Sequence, residues 1–192
     1  MILSAPRVSA AVRRHLRSGA KGIDVKAPDD QDSVLARYVE GPGLLVRALA
    51  GIHDADLDAP PSQGGWTIRE IVHHIVDGDD LWKTCVKIAL GNEQAEFSLE
   101  WYQTQPQEVW AESWAYVNRS LDVSLALLKA NRSHVHQLLG QLPDGWHRSV
   151  AFRTSNGETE RLPAGAVVEM QADHLEHHVK QIRAIRSAIG GV

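Results

Sequence analysis

Cysteine is nearly absent from this chain of 192 residues, which contains Cys85 alone. A single cysteine forms no internal disulfide and no cysteine-rich zinc site, and it is typical of a reducing compartment, so we predict a cytoplasmic protein. No apolar run approaches the roughly 18 residues that a membrane-spanning helix requires. An excess of positive charge is also lacking, because the formal net charge is -4. Nucleic-acid-binding domains usually carry a basic patch, so we expect neither nucleic acid nor membrane as a partner.

Acidic residues are missing from the first 23 residues, which carry five basic ones: Arg7, Arg13, Arg14, Arg17 and Lys21. This composition resembles a transit peptide, although the segment lacks the continuous apolar core of a secretory signal. We favour the simpler interpretation, in which residues 1–30 form an N-terminal arm. Residues 31–188 then form a single domain, which is long enough to bury one hydrophobic core.

Helical periodicity extends over most of the chain. It predicts main helices over residues 31–52, 67–90, 119–142 and 163–187, and a short helix over residues 105–116. Gly41-Pro42-Gly43 is expected to kink or restart the first helix. Residues 54–65 form a loop. Residues 146–163 are the only later non-helical stretch of any length, and their sequence favours a small hairpin around Asn156-Gly157. Four main helices with short connections predict an all-α four-helix bundle.

Ten histidines are many for this length, and five of them form two clusters in predicted helices. Because a helix turns by about 100° per residue, each imidazole can be assigned to a face. His74, His174 and His178 lie roughly 100°, 80° and 40° from the centre of the apolar face of their helices. His73 and His177 lie about 160° and 140° away. We therefore expect His73 and His177 to be solvated and the other three to face the bundle interior.

His174 and His178 are four residues apart, so their side chains lie one turn apart on one helical surface. Two imidazoles at this spacing can bind one divalent ion, and His74 from another helix would be a third ligand. Three protein ligands leave an open position, as in catalytic rather than structural zinc sites. Spacing alone leaves two alternatives open. His74 can be a hydrogen-bonded interior histidine, and the pair can be fortuitous in a plain structural bundle.

Two segments resemble those of the DinB/YfiT-like superfamily of metal-dependent helical-bundle proteins. The first, residues 65–77, reads Gly-Trp-Thr-Ile-Arg-Glu-Ile-Val-His-His-Ile-Val-Asp, with a histidine eight positions after the tryptophan. The second, residues 174–182, reads His-Leu-Glu-His-His-Val-Lys-Gln-Ile. Gly41-Pro42 and the turn from Leu142-Pro143 to Trp146 are supporting matches. The resemblance covers residues 33–185.

The resemblance implies an up-down-down-up four-helix bundle, often a homodimer, with nickel or zinc as the usual metal. By position, the family's ligands fall on His74, His174 and His178, the residues that the face assignment also selects. Known activities in the family are transfers that use low-molecular-weight thiols, a thiol-dependent isomerisation, and presumed hydrolysis. The ligand set itself does not name the metal, because three imidazoles suit zinc, nickel and iron alike.

Other polar residues near the histidines are weaker candidates for the chemistry. Asp77 and Gln181 each follow a candidate ligand by about one turn and could orient it or reach the open position. Glu70 is assigned to a capping box with Thr67. The His-Glu-x-x-His pattern of zinc peptidases is absent, since residue 175 is Leu. The glutamate that acts as general base in those enzymes is therefore also absent.

The remaining cysteine, histidines and aromatic residues are assigned structural roles. Cys85 lies about 16 Å along the helix from His74, too far to share its ion, and is expected to be a packed thiol. His134 and His136 face apart on their helix and form no site. The six tryptophans are interpreted mainly as core or interface anchors. Lining of a substrate pocket is the alternative for three of them: Trp101, Trp110 and Trp114.

Two functional hypotheses keep the metal site. The first is a metal-dependent thiol S-transferase or related hydrolase that acts on a small electrophilic molecule. The second is a non-catalytic, stress-related metal-binding protein of the same fold. A bound ion favours the deprotonated form of either a thiol or water, so the three ligands alone do not separate transfer from hydrolysis.

Overall fold

The computed structural model describes residues 25–61, 64–154 and 157–189. Within these ranges the chain is mostly helical, with seven α-helices and one three-stranded sheet. The helices are α1 (Gln31–Leu49), α2 (Asp54–Leu57), α3 (Ile68–Gly91), α4 (Glu100–Gln103), α5 (Gln107–Ser113), α6 (Leu121–Gln141) and α7 (Ala164–Ile189). The strands are β1 (Glu96–Ser98), β2 (Ser149–Arg153) and β3 (Thr159–Pro163). Most of the predicted N-terminal arm, residues 1–24, lies outside the described residues.

Helices α1, α3, α6 and α7 form a four-helix bundle in which α1 and α3 each pack against both α6 and α7. Two contacts show that α1 and α7 are parallel, since Arg37 meets Glu176 and, further along both helices, Arg186 meets the Ala50 carbonyl. Helices α3 and α6 are also parallel, since His73 meets Ser124 and Lys83 meets Asn131. Because Gly78 lies beside His174 while His74 lies beside His178, α3 and α7 are antiparallel. The predicted up-down-down-up bundle is confirmed.

Fully buried aliphatic side chains fill the bundle where α1, α3 and α7 meet: Leu45, Ile71, Ile75, Leu175 and Ile182. Each such side chain contributes roughly 1.5–3 kcal/mol relative to an exposed one. This tightly packed core holds the two helices that carry the candidate ligands. None of the helices in the described ranges has the length and apolar character needed to cross a membrane.

The first helix does not restart at Gly41-Pro42-Gly43, as one of the two expectations had it, because α1 runs through this segment from Gln31 to Leu49. Proline has no N–H, so Pro42 leaves the carbonyl of Tyr38 without its usual helical donor. The Arg132 side chain supplies the missing bond, with Nη1 donating to the Tyr38 carbonyl at 2.9 Å. Gly41 makes room for it, since a Cβ there would lie 2.3 Å from Arg132 Nη1. A partner on α6 therefore compensates for the proline, and the helix continues.

The sheet contains one strand that the sequence pattern did not predict. Strands β2 and β3 form the expected antiparallel hairpin, and at its predicted turn Asn156 lies outside the described residues. Strand β1 adds to β2 in parallel, with Phe97 opposite Phe152. Both rings pack against Trp82 of α3, with ring centroids 5.8 and 5.4 Å away. The prediction that residues 146–163 form the only non-helical stretch of any length after the loop at 54–65 was therefore wrong. Strand β1 was missed because three residues are too few to show an alternating pattern.

The short elements also differ from prediction. Helix α2 lies within the predicted loop at 54–65, and α4 precedes the predicted short helix. Helix α5 ends at Ser113, before a 3-10 turn at Tyr116–Asn118. Ala115 between them adopts the left-handed conformation, with φ of 51°. An α-helix cannot continue through such a residue, which explains the early end of α5.

Candidate metal centre

The first candidate ligand lies near the start of α3, whose N-terminus is well defined by its sequence. Thr67 is the N-cap, and its hydroxyl accepts from the Glu70 backbone N–H, while the Glu70 carboxylate accepts from the Thr67 backbone N–H at 2.8 Å. This capping box confirms the predicted helix and the structural role of Glu70. His74 follows one turn later and is buried.

His74, His174 and His178 converge between α3 and α7. The Nε2 atom of His174 lies 3.1 Å from Nε2 of His74 and 3.1 Å from Nε2 of His178. One nitrogen from each ring can be chosen so that all three lie within 4.8 Å of one another. Ring nitrogens bound to one zinc at about 2.0–2.1 Å are roughly 3.3 Å apart in a tetrahedron, so this arrangement has the dimensions of a metal site.

The three imidazoles are neutral at neutral pH. Burial, with a smaller effect of nearby His178, lowers the pKa of His74 to about 3. Burial also lowers the pKa of His178 to about 4, although its hydrogen bond to Gln181 opposes the shift. The pKa of His174 is lowered well below its ordinary value by burial and by the two neighbouring histidines. Neutral imidazole is the form that binds metals, so the site does not need to lose protons before binding.

Neighbouring side chains fix the orientation of two of the rings. His178 Nδ1 lies 3.0 Å from Gln181 Oε1, and because an amide oxygen only accepts, Nδ1 is the protonated nitrogen. The lone pair of His178 therefore lies on Nε2, which faces the other two rings. Trp66 packs edge-on against His74, with ring centroids 4.6 Å apart. Gln181, one of the two weak candidates, is thus in contact with a candidate ligand.

His73 is fully buried, so the prediction that it is solvated is wrong. Its Nε2 donates to the Arg119 carbonyl at 3.2 Å, which leaves Nδ1 to accept from the Ser124 hydroxyl at 2.9 Å. The face assignment failed because α3 packs on two sides, against α7 through apolar residues and against α6 through polar ones. Residues of α3 that are buried against α6 are polar, so a pattern of hydrophobic residues does not identify them as buried. His177 is exposed, as predicted.

Carboxylates close to the histidines in sequence are paired with other groups. Asp77, the other weak candidate, forms a two-pronged ion pair with Arg119, at 2.7 and 3.1 Å. Asp173, just before His174, and Glu176, between His174 and His178, both bind Arg37 of α1. Together with Glu70 in its capping box, these carboxylates have structural partners. Of the two weak candidates, Gln181 therefore contacts a candidate ligand, whereas the Asp77 carboxylate is bound to Arg119.

The cysteine, histidines and tryptophans that were left out of the predicted metal site lie in packed or exposed positions away from it. Cys85 is buried, and burial raises the pKa of its thiol, as expected for a packed side chain. His134 and His136 are exposed on α6. Trp110 and Trp114 stack around Tyr102 in an aromatic cluster, while Trp101 at its edge is 49% exposed. These contacts agree with anchoring roles for Trp110 and Trp114.

A buried ion pair next to the site was not predicted. Arg132 of α6 donates from Nε to Asp79 Oδ2 of α3 at 2.9 Å, and both side chains are essentially inaccessible. The second oxygen of Asp79 has no hydrogen-bond partner among the described residues. Burial raises the pKa of Asp79, while the Arg132 charge opposes that shift. An arginine within an amphipathic helix usually indicates a solvated position, so only the unusual Gly-Pro pair in α1 could have suggested this contact.

Sequence comparisons relate the chain to one family and its curated members. A family model, described as the DinB superfamily, matches residues 37–182. A Bacillus mycoides protein named "Putative metal-dependent hydrolase" is 28% identical over 148 residues, which cover 77% of this chain and 80% of that protein. A Bacillus licheniformis protein with the same description is 27% identical over 151 residues, covering 79% and 82% of the two chains. The residues matched by the family model include all three candidate ligands.

Solved structures share the fold. YfiT from Bacillus subtilis, described as "a probable metal-dependent hydrolase with an unusual four-helix bundle topology", superposes with a TM-score of 0.71 at 23% identity. The match covers 89% of this chain and 94% of YfiT. A mycothiol-dependent maleylpyruvate isomerase superposes with a TM-score of 0.59 at 16% identity, over 79% of this chain and 60% of the isomerase. At these identities the similarity concerns the fold alone.

Proposed function

This chain belongs to the DinB superfamily, and we propose that it is a metal-dependent enzyme in which His74, His174 and His178 hold one divalent ion. The observation that supports this proposal is the convergence of three buried imidazoles from two helices. Nickel and zinc are the first ions to test, and iron the third, because three imidazoles suit all of them. A homodimer and a domain spanning residues 31–188 remain predictions.

The donors fit such an ion on three counts. The Nε2 atoms of the three rings lie close together. The rings are neutral because burial lowers their pKa values. Gln181 fixes the tautomer of His178, as partners of metal-bound histidines commonly do. An ion bound there would supply positive charge that favours the deprotonated form of a thiol or of water.

We propose thiol S-transfer to a small electrophile as the reaction. The carboxylates that flank the histidines have other partners, namely Thr67 for Glu70, Arg119 for Asp77, and Arg37 for both Asp173 and Glu176. A nucleophile that is already deprotonated needs no such carboxylate as a base. The thiolate sulfur would bond to the electrophilic carbon, the leaving group would depart with its electron pair, and the thiol proton would pass to solvent.

Hydrolysis is the second candidate, and the names of the curated relatives favour it. It would use the same three histidines with water as the nucleophile. Water must lose one proton to attack and often a second in a later step, so hydrolysis usually uses a general base near the open position. Because the carboxylates that flank the histidines are paired with other groups, the site is less suited to hydrolysis than to thiol transfer.

Metal titration with ligand variants tests the site itself. The protein is treated with a chelator and titrated with Ni²⁺ or Zn²⁺ by calorimetry. We expect one ion per chain, and a loss of at least about 100-fold in affinity for His74→Ala and His178→Ala, since each removes one of three ligands. His134→Ala is the matched control, because this exposed residue lies on α6 and should leave affinity unchanged. Variants that hold the ion as well as the parent would end the proposal.

An activity screen separates catalysis from binding alone. The metal-loaded protein is incubated with chlorodinitrobenzene or monochlorobimane and a panel of low-molecular-weight thiols, and in parallel with chromogenic esters. Thiol-dependent turnover that disappears in His178→Ala supports S-transfer, whereas ester cleavage without thiol supports hydrolysis. Tight metal binding without turnover of either kind would favour the alternative of a non-catalytic, stress-related metal-binding protein.

A further inference from the structure

Arg132 of α6 contacts the other three bundle helices through one side chain. It projects from α6 and donates to Asp79 of α3, to the Tyr38 carbonyl of α1 and to the Gln171 carbonyl of α7, each at 2.9 Å. Its guanidinium also lies over the Tyr38 ring, 4.4 Å from the centroid. A guanidinium is planar, and its donors point in fixed directions, so these three acceptors are held in one relative position.

Two of those acceptors lie next to the candidate ligands. Asp79 follows His74 by five residues on α3, about 7.5 Å along the axis, and Gln171 precedes His174 by three residues on α7, about 4.5 Å. Gly78, adjacent to Asp79, packs against the His174 ring, since a Cβ at Gly78 would lie 3.7 Å from His174 Cε1. A shift of α3 along α7 would therefore change both the bonds to Arg132 and the separation of His74 from His174.

The surroundings of Arg132 are shaped to admit it. Pro42 leaves the Tyr38 carbonyl free of a helical donor, and Gly41 leaves the space that Nη1 occupies. The Gly41 position also faces Leu175, whose Cδ1 would lie 3.2 Å from a Cβ there and which adjoins His174 in sequence. The glycine, the proline, the arginine and Asp79 thus form one unit, which we name the Arg132 clamp.

We infer that Arg132 is a positioning residue: with Asp79 it fixes the offset between α3 and α7, and so holds His74 and His174 at the separation that one ion requires. This inference rests on the proposed function, since it concerns the same site. Arg132 is not placed in contact with the ion, and its effect passes through the helices that bear the histidines.

The test needs a variant that removes the clamp while keeping the fold. Arg132→Met with Asp79→Leu replaces a buried ion pair by apolar side chains, which often preserves stability, whereas removing one partner alone leaves a buried charge. Pro42→Ala is added because its N–H can bond to the Tyr38 carbonyl that Arg132 leaves. The measured quantities are the Kd for Co²⁺, the visible d–d absorption of the Co²⁺ complex, and the urea unfolding midpoint of the metal-free protein.

We expect the triple variant to unfold near the parent's midpoint, to bind Co²⁺ at least tenfold more weakly and to give a shifted d–d spectrum. Arg69→Met is the matched control. Arg69 is also buried, and it binds Asp54, Asp58 and the Arg119 carbonyl. None of these partners lies on α7, so Arg69 does not connect the two helices that carry the candidate ligands. This variant should lower the unfolding midpoint and leave the Co²⁺ spectrum unchanged.

Arg132→Lys provides a second measurement if the triple variant does not fold. Lysine keeps the charge but lacks the planar group that reaches three acceptors, so Co²⁺ should bind at least threefold more weakly. Parent-like Kd and spectrum in a folded clamp variant would overturn the inference while leaving the metal site intact. No Co²⁺ binding by the unmodified protein would instead refute the proposed function, and the inference with it.

Discussion

Lowering the pH should destabilise the metal-free protein by protonating histidines that the fold keeps neutral. The pKa is about 3 for His74 and about 4 for His178, and it is well below the ordinary value for His174, in each case mainly because of burial. In the unfolded chain each returns to about 6.5. The unfolded state therefore binds more protons below about pH 6.5, and the free energy of unfolding falls with falling pH.

The size of this effect follows from the shifts. At about pH 5.5, a histidine with an unfolded pKa near 6.5 and a folded pKa of 4 or lower loses about 1.4 kcal/mol of stabilisation. His74 and His178 together then lower the free energy of unfolding by roughly 3 kcal/mol between about pH 7.5 and 5.5, a large part of the 5–15 kcal/mol of a typical domain, and the lowered pKa of His174 adds to the loss. Burial also lowers the pKa of His73, which adds to the same trend.

Urea unfolding of chelator-treated protein, followed by circular dichroism at these two pH values, measures the loss. His178→Gln removes one of these rings and should reduce the loss by about 1.4 kcal/mol. His134→Gln, at an exposed position on α6, should retain the full loss. A parent protein whose free energy of unfolding changes by less than about 1 kcal/mol would refute the claim that the three imidazoles are buried and neutral.

Four other outcomes follow from the same contacts. Gln181→Leu should weaken Ni²⁺ binding about 10- to 100-fold in calorimetry, because His178 loses the acceptor that fixes its tautomer; unchanged affinity would contradict this role. Gly41→Ala should lower the free energy of urea unfolding by about 1–3 kcal/mol despite the better helix propensity of alanine, because its Cβ would overlap Arg132; a more stable variant would count against that packing. Cys85→Ala should leave the Ni²⁺ affinity unchanged within about twofold, since the thiol lies about 16 Å along α3 from His74. Saturation with Ni²⁺ at 100 times its Kd should raise the free energy of unfolding by about 2.7 kcal/mol, and no rise in a thermal or urea melt would argue against binding to the folded state.

The helices of the bundle and the faces that carry His74, His174 and His178 could be predicted because their signals are local, whereas their convergence on one site was implied by the family resemblance. The capping box of Thr67 and Glu70 defines where α3 begins, and helical periodicity then places His74 on one face. The spacing of His174 and His178 places both on one surface of α7. Apolar stripes determine which surfaces face the core, and these three histidines lie at the edges of those stripes.

The contacts that were missed depend on residues far apart in sequence. His73 is buried by Ser124 and Arg119, which approach only after α6 has packed against α3. The continuity of α1 through Pro42 depends on Arg132, which follows 90 residues later. Polar groups satisfied by distant partners resemble solvated ones in a hydrophobic pattern, so periodicity cannot identify them.

X-ray absorption at the metal edge of the Ni²⁺- or Zn²⁺-loaded protein reports which atoms surround the ion, and therefore whether the three histidines bind it together. We expect three imidazole nitrogens at about 2.0–2.1 Å from the ion, and one fewer imidazole in His74→Ala. A first shell with a single imidazole, or one unchanged by removal of His74, would show that His74, His174 and His178 do not share an ion.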